Sequence, residues 1–176
     1  ALQVLESGGI IAFPTDTVYG IGCNAMDSFA IEKIYKLKKR TKTKPLVLFI
    51  GHKNQLDNFV EEVPHEVQKL IEIFWPGALT IIFRAKQTPI AYKGTIGIRM
   101  PDYKELLELA RLCPMATTSA NISGEPAPRR KEDIKLKVDY IIEGKPSKYS
   151  LPSTVLDITK TPWEIIRKGR ISAYQI

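Results

Sequence analysis

Hydrophobic and polar residues follow two patterns along this chain, one typical of strands and one typical of helices. Short, continuous apolar runs rich in β-branched residues predict buried strands. The segments with this pattern are residues 10–13, 46–50, 78–83, 95–99, 115–118, 139–142, 154–158 and 164–166. Because residues 46–50 are apolar without interruption, we expect this strand to lie in the centre of a sheet.

Helices are predicted between these strands. They comprise a helix end at 1–7, a helix at 28–39, one that Pro64 opens and Trp75 ends, one that begins at Pro101, and a short basic helix near 131–137. Asp102 and Glu105 have the spacing of a capping box at the start of the fourth helix. Helices interleaved with strands predict an α/β fold with a mixed sheet. A chain of 176 residues is long enough for one sizeable core, so we expect a single domain over residues 1–176.

The stretch PTDTVYGIG at residues 14–22 fits neither pattern. It follows the predicted strand 10–13, and its threonine and tyrosine hydroxyls supply hydrogen-bond donors and acceptors at the end of that strand. Gly20 and Gly22 would allow a ligand to approach the backbone, and ligands of open α/β sheets collect at strand ends. The alternative is a turn in which the threonines bond to their own backbone. Two further loops are predicted at 119–124 and 144–152.

Composition and charge narrow the class of protein. The chain has the 44% hydrophobic and 26% charged residues of a globular protein, and no apolar run approaches the ~20 residues of a membrane span. Cys23 and Cys113 lack the spacing of a disulfide framework or zinc site, which predicts buried thiols and a cytoplasmic location. The net charge of +7 indicates an anionic partner: a nucleotide, RNA or phosphate. Among the basic residues between 33 and 44, we expect Lys33, Lys36 and Lys39 to form a solvated helix face.

Several familiar sites are absent from the sequence. There is no GxxxxGK[ST] phosphate loop, and the GxGxxA match at 20–25 stands too far from its strand and lacks the acidic residue of a dinucleotide site. Ser119 and Ser123 lack the GxSxG pattern of a nucleophile elbow. Because His52 and His65 stand near the starts of predicted surface elements, we expect neither a covalent nucleophile nor a protein-bound metal.

Polar and cationic residues instead collect at the ends of predicted strands and helices. They are Lys38, Arg40, Lys44, Arg99, Ser119, Asn121, Ser153, Thr154 and Arg167. Such a set suits phosphoryl chemistry, in which the protein mainly positions substrates and neutralises charge. Each residue alone is also explained as a surface cation or turn former. The residues by themselves therefore predict only that an anionic small molecule or RNA is bound.

Seven motifs, in order along the chain, together resemble one known family. They are PTDTVYGIG at 14–22, Lys38-x-Arg40 followed by Lys44-Pro45-Leu46, WPGALT at 75–80, TIGIRMP at 95–101, TSANISG at 118–124, PSTV at 152–155 and IRKG at 166–169. Over about residues 6–170 the chain closely resembles the YrdC-like family, the threonylcarbamoyl-AMP synthases of tRNA modification. Since the chain ends soon after Arg170, it resembles the short, single-domain form of that family.

The resemblance implies a fold and a reaction. The fold would be a twisted, mixed, open sheet flanked by helices, with a positively charged concave cavity. The reaction would convert L-threonine, bicarbonate and ATP, with Mg²⁺, to threonylcarbamoyl-AMP and pyrophosphate, as a nucleotidyltransferase. Downstream tRNA threonylcarbamoyl-transferase proteins would then form N6-threonylcarbamoyladenosine at tRNA position 37. Direct contact of this chain with tRNA is left open.

The motifs also imply roles for individual residues. The family's KxR…SxN tetrad, taken as catalytic, corresponds to Lys38, Arg40, Ser119 and Asn121. The residues implied to contact L-threonine are Thr17, Arg99, Ser119 and Ser153. The residues implied to contact ATP are Arg40, Lys44, Thr95, Asn121, Arg129 and Arg167. Lys38 and Arg40, together with Mg²⁺, would stabilise the departing pyrophosphate.

Three positions depart from the family pattern. Thr41 replaces a frequent proline and predicts a less rigid loop. Phe49 replaces a frequent histidine, so any threonine contact from this position would be lost or hydrophobic. Arg129 replaces a small hydroxyl residue and would add a cation for phosphate or RNA; the alternative is that it faces solvent. Two other functions are kept as alternatives. One is an RNA-binding module without catalysis, although the basic regions lack interleaved aromatic residues. The other is a relative that transfers a carbamoyl group.

Overall fold

Nine strands and four helices occupy the part of the chain that the computed structural model describes, residues 1–144 and 151–176. The helices are α1 (Leu2–Glu6), α2 (Ser28–Leu37), α3 (His65–Phe74) and α4 (Lys104–Leu112). The strands are β1 (Ile11–Phe13), β2 (Gly20–Asn24), β3 (Val47–Phe49), β4 (Leu79–Arg84), β5 (Thr95–Arg99), β6 (Met115–Ser119), β7 (Tyr140–Ile141), β8 (Thr154–Asp157) and β9 (Glu164–Arg167). Most of the loop predicted at 144–152 lies outside the described residues.

All nine strands belong to one sheet, in the order β7-β1-β2-β6-β3-β5-β4-β8-β9. The pairs β1/β7, β3/β5 and β4/β8 are parallel, and the other neighbouring pairs are antiparallel. The mixed α/β fold predicted from the sequence is therefore confirmed. Strand β3 stands in the middle of the order, as the uninterrupted apolar run at 46–50 predicted.

Apolar side chains pack on both faces of the sheet, because successive residues of a strand point to opposite sides. In β1, Ile11 and Phe13 belong to one core cluster, whereas Ala12 belongs to the other. Helices α2 and α3 contribute to the larger cluster, for example through Ile34. Helices α1 and α4 contribute to the smaller one, for example through Leu106. The sheet is thus covered by helices on both sides.

Helices α2 and α3 confirm the two helices predicted at 28–39 and between Pro64 and Trp75. Asp27 caps α2, accepting hydrogen bonds from the N–H groups of Phe29 and Ala30 at 2.9 and 3.0 Å. Pro64 is the N-cap of α3, and Trp75 ends it. Lys33, Lys36 and Lys39 are exposed, so the solvated face predicted for α2 is also confirmed.

Strand β2 is the element that the sequence patterns missed. It pairs with β1 and β6, and in it Gly20 and Gly22 lie beneath the ring of Phe13. A Cβ atom on Gly20 would stand 2.7 Å from Phe13 Cε2, and one on Gly22 would stand 3.1 Å from Phe13 Cε1. Close packing against Phe13 therefore requires glycine at both positions. The same segment is a strand rather than a strand-to-helix turn, which agrees with the rejection of a dinucleotide motif.

Two local helix predictions were wrong. The capping box of Asp102 and Glu105 is absent, because α4 begins at Lys104 with Tyr103 as its N-cap and without a side-chain cap. The N–H of Tyr103 donates to the carbonyl of Pro101 at 3.0 Å, so a turn precedes the helix and shifts its start by one residue. The basic helix near 131–137 is reduced to a 3-10 turn over Lys131–Asp133.

The thiols and histidines lie where the sequence predicted. Cys23 and Cys113 are buried and unpaired, and burial raises the pKa of their thiols to about 12 and about 11. Both His52 and His65 are exposed. None of the helices in residues 1–144 and 151–176 has the length and apolar character of a membrane-crossing segment.

Candidate functional site

A cavity of about 350 Å³ opens over the middle of the sheet. Its floor follows from the strand register. Val47 of β3 pairs with both Gly97 of β5 and Thr117 of β6, and Gly97 pairs in turn with Ile82 of β4. Residues directly opposite each other project from the same face, and all four line the cavity. Phe49 lines it too and belongs to the smaller core cluster, so the cavity lies on the face that carries α1 and α4.

Arg99, the last residue of β5, lies at one end of this floor and is only 4% exposed. Its Nε–H donates to the carbonyl of Gly77 at 2.8 Å, its Nη1 donates to Thr17 Oγ1 at 3.1 Å, and its Nη2 forms a salt bridge with Asp16 at 2.5 Å. A guanidinium has five N–H donors. Among the described residues, these bonds leave one N–H on each terminal nitrogen for a ligand.

The ring of Phe49 lies 5.6 Å from the Arg99 guanidinium carbon. It packs also against Phe13, with a distance of 6.1 Å between the ring centroids. A cation over an aromatic face is stabilised by the ring quadrupole. The sequence predicted that any contact from position 49 would be hydrophobic or lost. In the structure, Phe49 lines the cavity and supports Arg99 from one side.

The loop that precedes β2 presents Thr17 to the cavity. Thr15 closes a turn: its hydroxyl accepts from the N–H groups of Thr17 and Val18 at 3.0 and 3.2 Å and donates to the carbonyl of Val18 at 2.7 Å. The turn with self-bonding threonines is therefore present. It does not compete with the binding-site interpretation, because it orients Thr17 towards Arg99.

Ser153, at the start of β8, belongs to a buried network of polar groups at another wall of the cavity. Its hydroxyl is 2.8 Å from that of Thr80 on β4 and accepts a hydrogen bond of 2.8 Å from Arg167 Nη2. The carbonyl of Ser153 accepts a second bond from Arg167 Nε, at 3.0 Å. Thr80, Ser153 and Arg167 all line the cavity. The parallel pairing of β4 with β8 places Thr80 next to the start of β8.

The end of α2 separates the two members of the Lys38-x-Arg40 motif. Lys39 has a positive φ of 51°; its N–H donates to the carbonyl of Lys36, and the N–H of Arg40 donates to that of Tyr35. This is the bond pattern of a Schellman motif. Arg40 consequently leaves the helix and lines the cavity, where its guanidinium is held by the carbonyls of Lys44 and Pro45 at 2.7 and 3.1 Å.

Lys38 turns the other way and is fully buried, with 0% exposure. Its ammonium donates to the carbonyl oxygens of Ser119 and Asn121 and lies 3.5 Å from Asn121 Oδ1. Burial, reinforced by repulsion from Arg40, lowers its pKa to about 8. Lys38 is not among the described residues that line the cavity.

Two of the predicted ATP ligands line a second cavity, of about 310 Å³. Asn121 and Arg129 belong to its wall, and Ala127 lines both cavities. The Asn121 amide donates to the carbonyls of Ile122 and Glu125 at 3.0 and 2.6 Å, which gives the loop after β6 a defined shape. The two cavities are thus adjacent across Ala127.

The structure brings most of the predicted site residues together, but not all. The predicted residues that line the main cavity are Thr17, Arg40, Thr95, Arg99, Ser119, Ser153 and Arg167. Lys38 lies behind the wall, Asn121 and Arg129 line the second cavity, and Lys44 is exposed outside both linings. Thr95 lines the main cavity while its hydroxyl donates to the carbonyl of Tyr92 at 2.9 Å.

Thr80 is a cavity residue that the sequence interpretation missed. Its hydroxyl is buried and bonded to Ser153. The motif WPGALT at 75–80 contains it, but the motif was used only as a sign of resemblance and for the end of α3. Its polar character within the apolar run 78–83 was the available signal, since a buried hydroxyl requires a polar partner.

Arginine is the charged residue type among the described residues that line the main cavity, at positions 40, 99 and 167. Partial burial, followed by repulsion from Arg99 and Arg40, lowers the pKa of Arg167. Burial also lowers the pKa of Arg99, although Asp16 opposes this effect. Arginine remains protonated in spite of such shifts. The described wall therefore offers three guanidinium groups to an anionic ligand.

In the described part of the chain, carboxylates do not gather at the site in the way that a metal centre requires. No group of three or more His, Cys, Asp or Glu side chains that could hold a metal ion occurs in the described residues. Asp16 is already engaged with Arg99. Magnesium is commonly bound by substrate phosphates and water with few protein ligands.

Comparisons with known proteins agree with the geometry. The family model of the Sua5/YciO/YrdC domain, described as "Telomere recombination", matches residues 3–169. The threonylcarbamoyl-AMP synthase of Pyrococcus abyssi is 36% identical over 186 residues, covering 100% of this chain and 55% of the relative. A putative threonylcarbamoyl-AMP synthase of Methanocaldococcus jannaschii is 40% identical over 171 residues, covering 94% of this chain and 82% of the relative.

A solved structure gives the same result. The crystal structure of P. abyssi Sua5 complexed with L-threonine superimposes with a TM-score of 0.90 at 35% identity, covering 96% of this chain and 52% of that one. The chain spans about half the length of the P. abyssi relative. Since the family model covers nearly the whole chain and the folds agree, the chain belongs to the Sua5/YciO/YrdC family.

Proposed function

We propose that this chain is a threonylcarbamoyl-AMP synthase that uses L-threonine, bicarbonate and ATP. In the first step the threonine amine attacks the bicarbonate carbon, and water is lost to give a carbamate. In the second step a carbamate oxygen attacks the α-phosphorus of ATP, and pyrophosphate leaves. The relatives named as threonylcarbamoyl-AMP synthases support this activity.

The observation that carries the proposal is the arrangement around Arg99. Two terminal N–H groups on neighbouring nitrogens match the two oxygens of a carboxylate, and such a bidentate pair is stronger and more specific than a single contact. The guanidinium is already oriented by Asp16, Thr17 and Gly77, so little order is lost when an amino acid binds. P. abyssi Sua5, which binds L-threonine, supports threonine as the amino acid here.

Hydroxyl groups on the cavity wall would supply selectivity for threonine. Thr17, Ser119 and Ser153 line the same cavity as Arg99. A site that hydrogen-bonds a substrate hydroxyl strongly rejects an analogue without that hydroxyl, because buried polar groups then lose their partner. We therefore expect L-threonine to be preferred over L-2-aminobutyrate.

The remaining guanidinium groups would hold ATP. Arg40 and Arg167 line the cavity, and Arg167 is repelled by both Arg40 and Arg99. Binding of a polyphosphate would relieve this repulsion. Positioning and charge neutralisation are the main protein contributions to phosphoryl transfer. We propose that Mg²⁺ arrives with ATP, held by phosphates and water, and that it supplies further neutralisation of the phosphate charge.

The product would be passed to tRNA threonylcarbamoyl-transferase proteins acting on tRNA position 37, in the cytoplasm. The exposed lysines of α2 would attract any polyanion. They therefore do not by themselves indicate that this chain contacts tRNA directly. We also propose that residues 1–176 form a single domain.

The test is pyrophosphate release from ATP and Mg²⁺, with and without L-threonine and bicarbonate. We expect release to require both, and to be lost in Arg40→Ala. Release that needs neither threonine nor bicarbonate, but depends on an added carbamoyl donor, would instead favour a carbamoyl-transferring relative. No release, together with salt-dependent RNA affinity that Arg99→Ala leaves unchanged, would favour an RNA-binding module.

A further inference from the structure

The buried ammonium of Lys38 is placed differently from the three arginines that line the main cavity in the described part of the chain. Arg40, Arg99 and Arg167 line the cavity, whereas Lys38 does not. Lys38 is 0% exposed, and it reaches the backbone of the loop after β6 from behind. It is the last residue before the Schellman turn of α2, so it joins this helix to Ser119 at the end of β6 and to Asn121 in the loop that follows.

A count of donors shows how fully this ammonium is engaged. A lysine ammonium has three N–H donors and no acceptor. The described acceptors are the carbonyl oxygens of Ser119 and Asn121, the latter at 2.5 Å, and Asn121 Oδ1 at 3.5 Å. Three donors therefore meet three acceptors of one loop. A phosphate oxygen could bind this ammonium only by displacing one of them.

The loop is attached to its surroundings at further points, and Lys38 takes part in one of these as well. The N–H of Ala120 donates to the carbonyl of Tyr19 at 2.9 Å, and the N–H of Ser123 donates to the carbonyl of Lys38 at 3.0 Å. The side chain and the backbone of Lys38 thus bind both ends of the segment 119–123. Ser119 lies on the main cavity and Asn121 on the second cavity, so this segment places one residue in each.

We propose that Lys38 is a positioning residue, which holds Ser119 and Asn121 in place for the ligands and does not itself contact the departing pyrophosphate. The inference rests on the proposed function, because it assigns Ser119 to the threonine site. Burial of the charge supports it: no carboxylate of the described residues pairs with this ammonium, and backbone carbonyls provide its solvation.

L-Threonine binding in the absence of ATP distinguishes the two roles. Threonine carries no net charge, and a lysine that contacts only pyrophosphate has no effect on its affinity. If Lys38 acts through Ser119, Lys38→Met should weaken threonine binding about 10- to 100-fold, the range expected when charge-assisted hydrogen bonds are lost. Lys36→Met is the matched control, since Lys36 is exposed on the same helix, and it should leave the affinity within twofold.

Rescue by arginine separates loss of positioning from loss of packing. Lys38→Arg retains charge and several N–H donors, so we expect it to recover threonine affinity to within several-fold of the wild type. Threonine affinity that is unchanged in Lys38→Met, with ATP affinity lost, would overturn the inference. Wild-type protein that binds no threonine would count against the proposed function instead.

Hydrogen exchange of the ligand-free protein tests the same idea without any assumption about substrates. The backbone N–H groups of Ala120 and Ser123 should exchange faster in Lys38→Met than in the wild type, because the segment between them loses its tie to α2. Unchanged exchange at both positions would overturn the inference.

A measurement on the wild type covers the case in which Lys38→Met does not fold. The lysine ammonium signal of Lys38 should be observable by NMR because the group is buried. On addition of Mg²⁺ and pyrophosphate we expect the Nε–H signal of Arg40 to shift and the ammonium signal of Lys38 to stay. A Lys38 shift as large as that of Arg40 would show direct contact and overturn the inference.

Discussion

The two ends of the main cavity are built in different ways. At the end where the amino acid is proposed to bind, here called the amino-acid end, Arg99 is buried and bonded to Gly77, Thr17 and Asp16. At the end proposed for phosphate, here called the phosphate end, Arg40 is bonded to two carbonyls of its own exposed loop, and Lys44 is exposed. The first end is part of the protein interior and is ordered before a ligand arrives. The second is a surface loop, whose cations would gain an anionic partner only from the proposed phosphate ligand.

This difference predicts how mutations at the two ends will behave. Changes at the amino-acid end should affect folding and binding together, since the same bonds serve both. Changes at the phosphate end should affect binding and leave stability nearly unchanged. The following experiments test this contrast, beginning with the largest expected effect.

Arg99→Ala should be the most damaging change. It leaves the carboxylate of Asp16 buried without its partner, which typically costs about 3–5 kcal/mol in the free energy of unfolding, and it should abolish threonine binding. Urea unfolding and titration calorimetry measure the two effects. In the double variant Arg99→Ala/Asp16→Asn we expect stability to recover in part while threonine binding stays lost. Full stability of the single variant would show that the two ends do not differ as proposed.

Arg40→Ala should have its main effect on ATP. We expect ATP affinity to fall about 10- to 100-fold, as for the loss of a charge-assisted contact, with the free energy of unfolding changed by less than about 1 kcal/mol. Lys42→Ala is a control for the loss of a nearby positive charge, because Lys42 is exposed and pairs with Glu32 at 2.8 Å. An unfolding midpoint that drops as far as in Arg99→Ala would contradict the contrast.

Thr80 and Ser153 should behave as one unit. Their hydroxyls share a buried hydrogen bond of 2.8 Å, so the effects of Thr80→Val and Ser153→Ala on stability and threonine affinity should not add. A double-mutant cycle should give a coupling of about 0.5–1.5 kcal/mol. Thr80→Ser, which keeps the hydroxyl, should retain most of the affinity. Additive effects would mean that the bond is of no consequence for binding.

The pH dependence of stability should carry a small signature of Lys38. Its pKa is lowered from 10.5 to about 8, mainly by burial, so between these values the unfolded chain binds more protons than the folded protein. Stability therefore gains from this group as the pH rises through that window. The free energy of unfolding of the wild type, relative to Lys38→Met, should increase from pH 8 to 10. The raised pKa values of Cys23 and Cys113 act in the opposite direction but cancel in the difference.

Much of the fold could be predicted because local pattern and tertiary structure agree. Strand β5 was predicted with the bounds that the structure has, and the uninterrupted apolar run of β3 correctly indicated a central strand. Strand β2 escaped because glycine has low strand propensity. Its strand conformation comes from pairing with β1 and β6 and from the ring of Phe13. Those partners are distant in the chain or lie on the other side of a turn.

The candidate site, like the fold, could be predicted from the sequence only in part. The polar residues at strand ends were visible in the sequence, and Arg99, Thr17 and Ser153 do meet in one cavity. The separation of Lys38 from Arg40 was not visible. Two residues apart, both cationic, they belong to one motif, and only the left-handed conformation of Lys39 sends one into the interior and the other to the cavity.

By itself the sequence determined the chemistry that is available: which residues carry charge or hydroxyl groups, which family the motifs resemble, and which strands form, with the exception of β2. The tertiary structure decided which of these groups face a ligand and which serve the protein. The reason is physical. A hydrogen bond or ion pair depends on distance and direction between groups that the chain brings together from far apart, as Asp16 and Arg99 are. Residue type and spacing along the chain do not contain that distance.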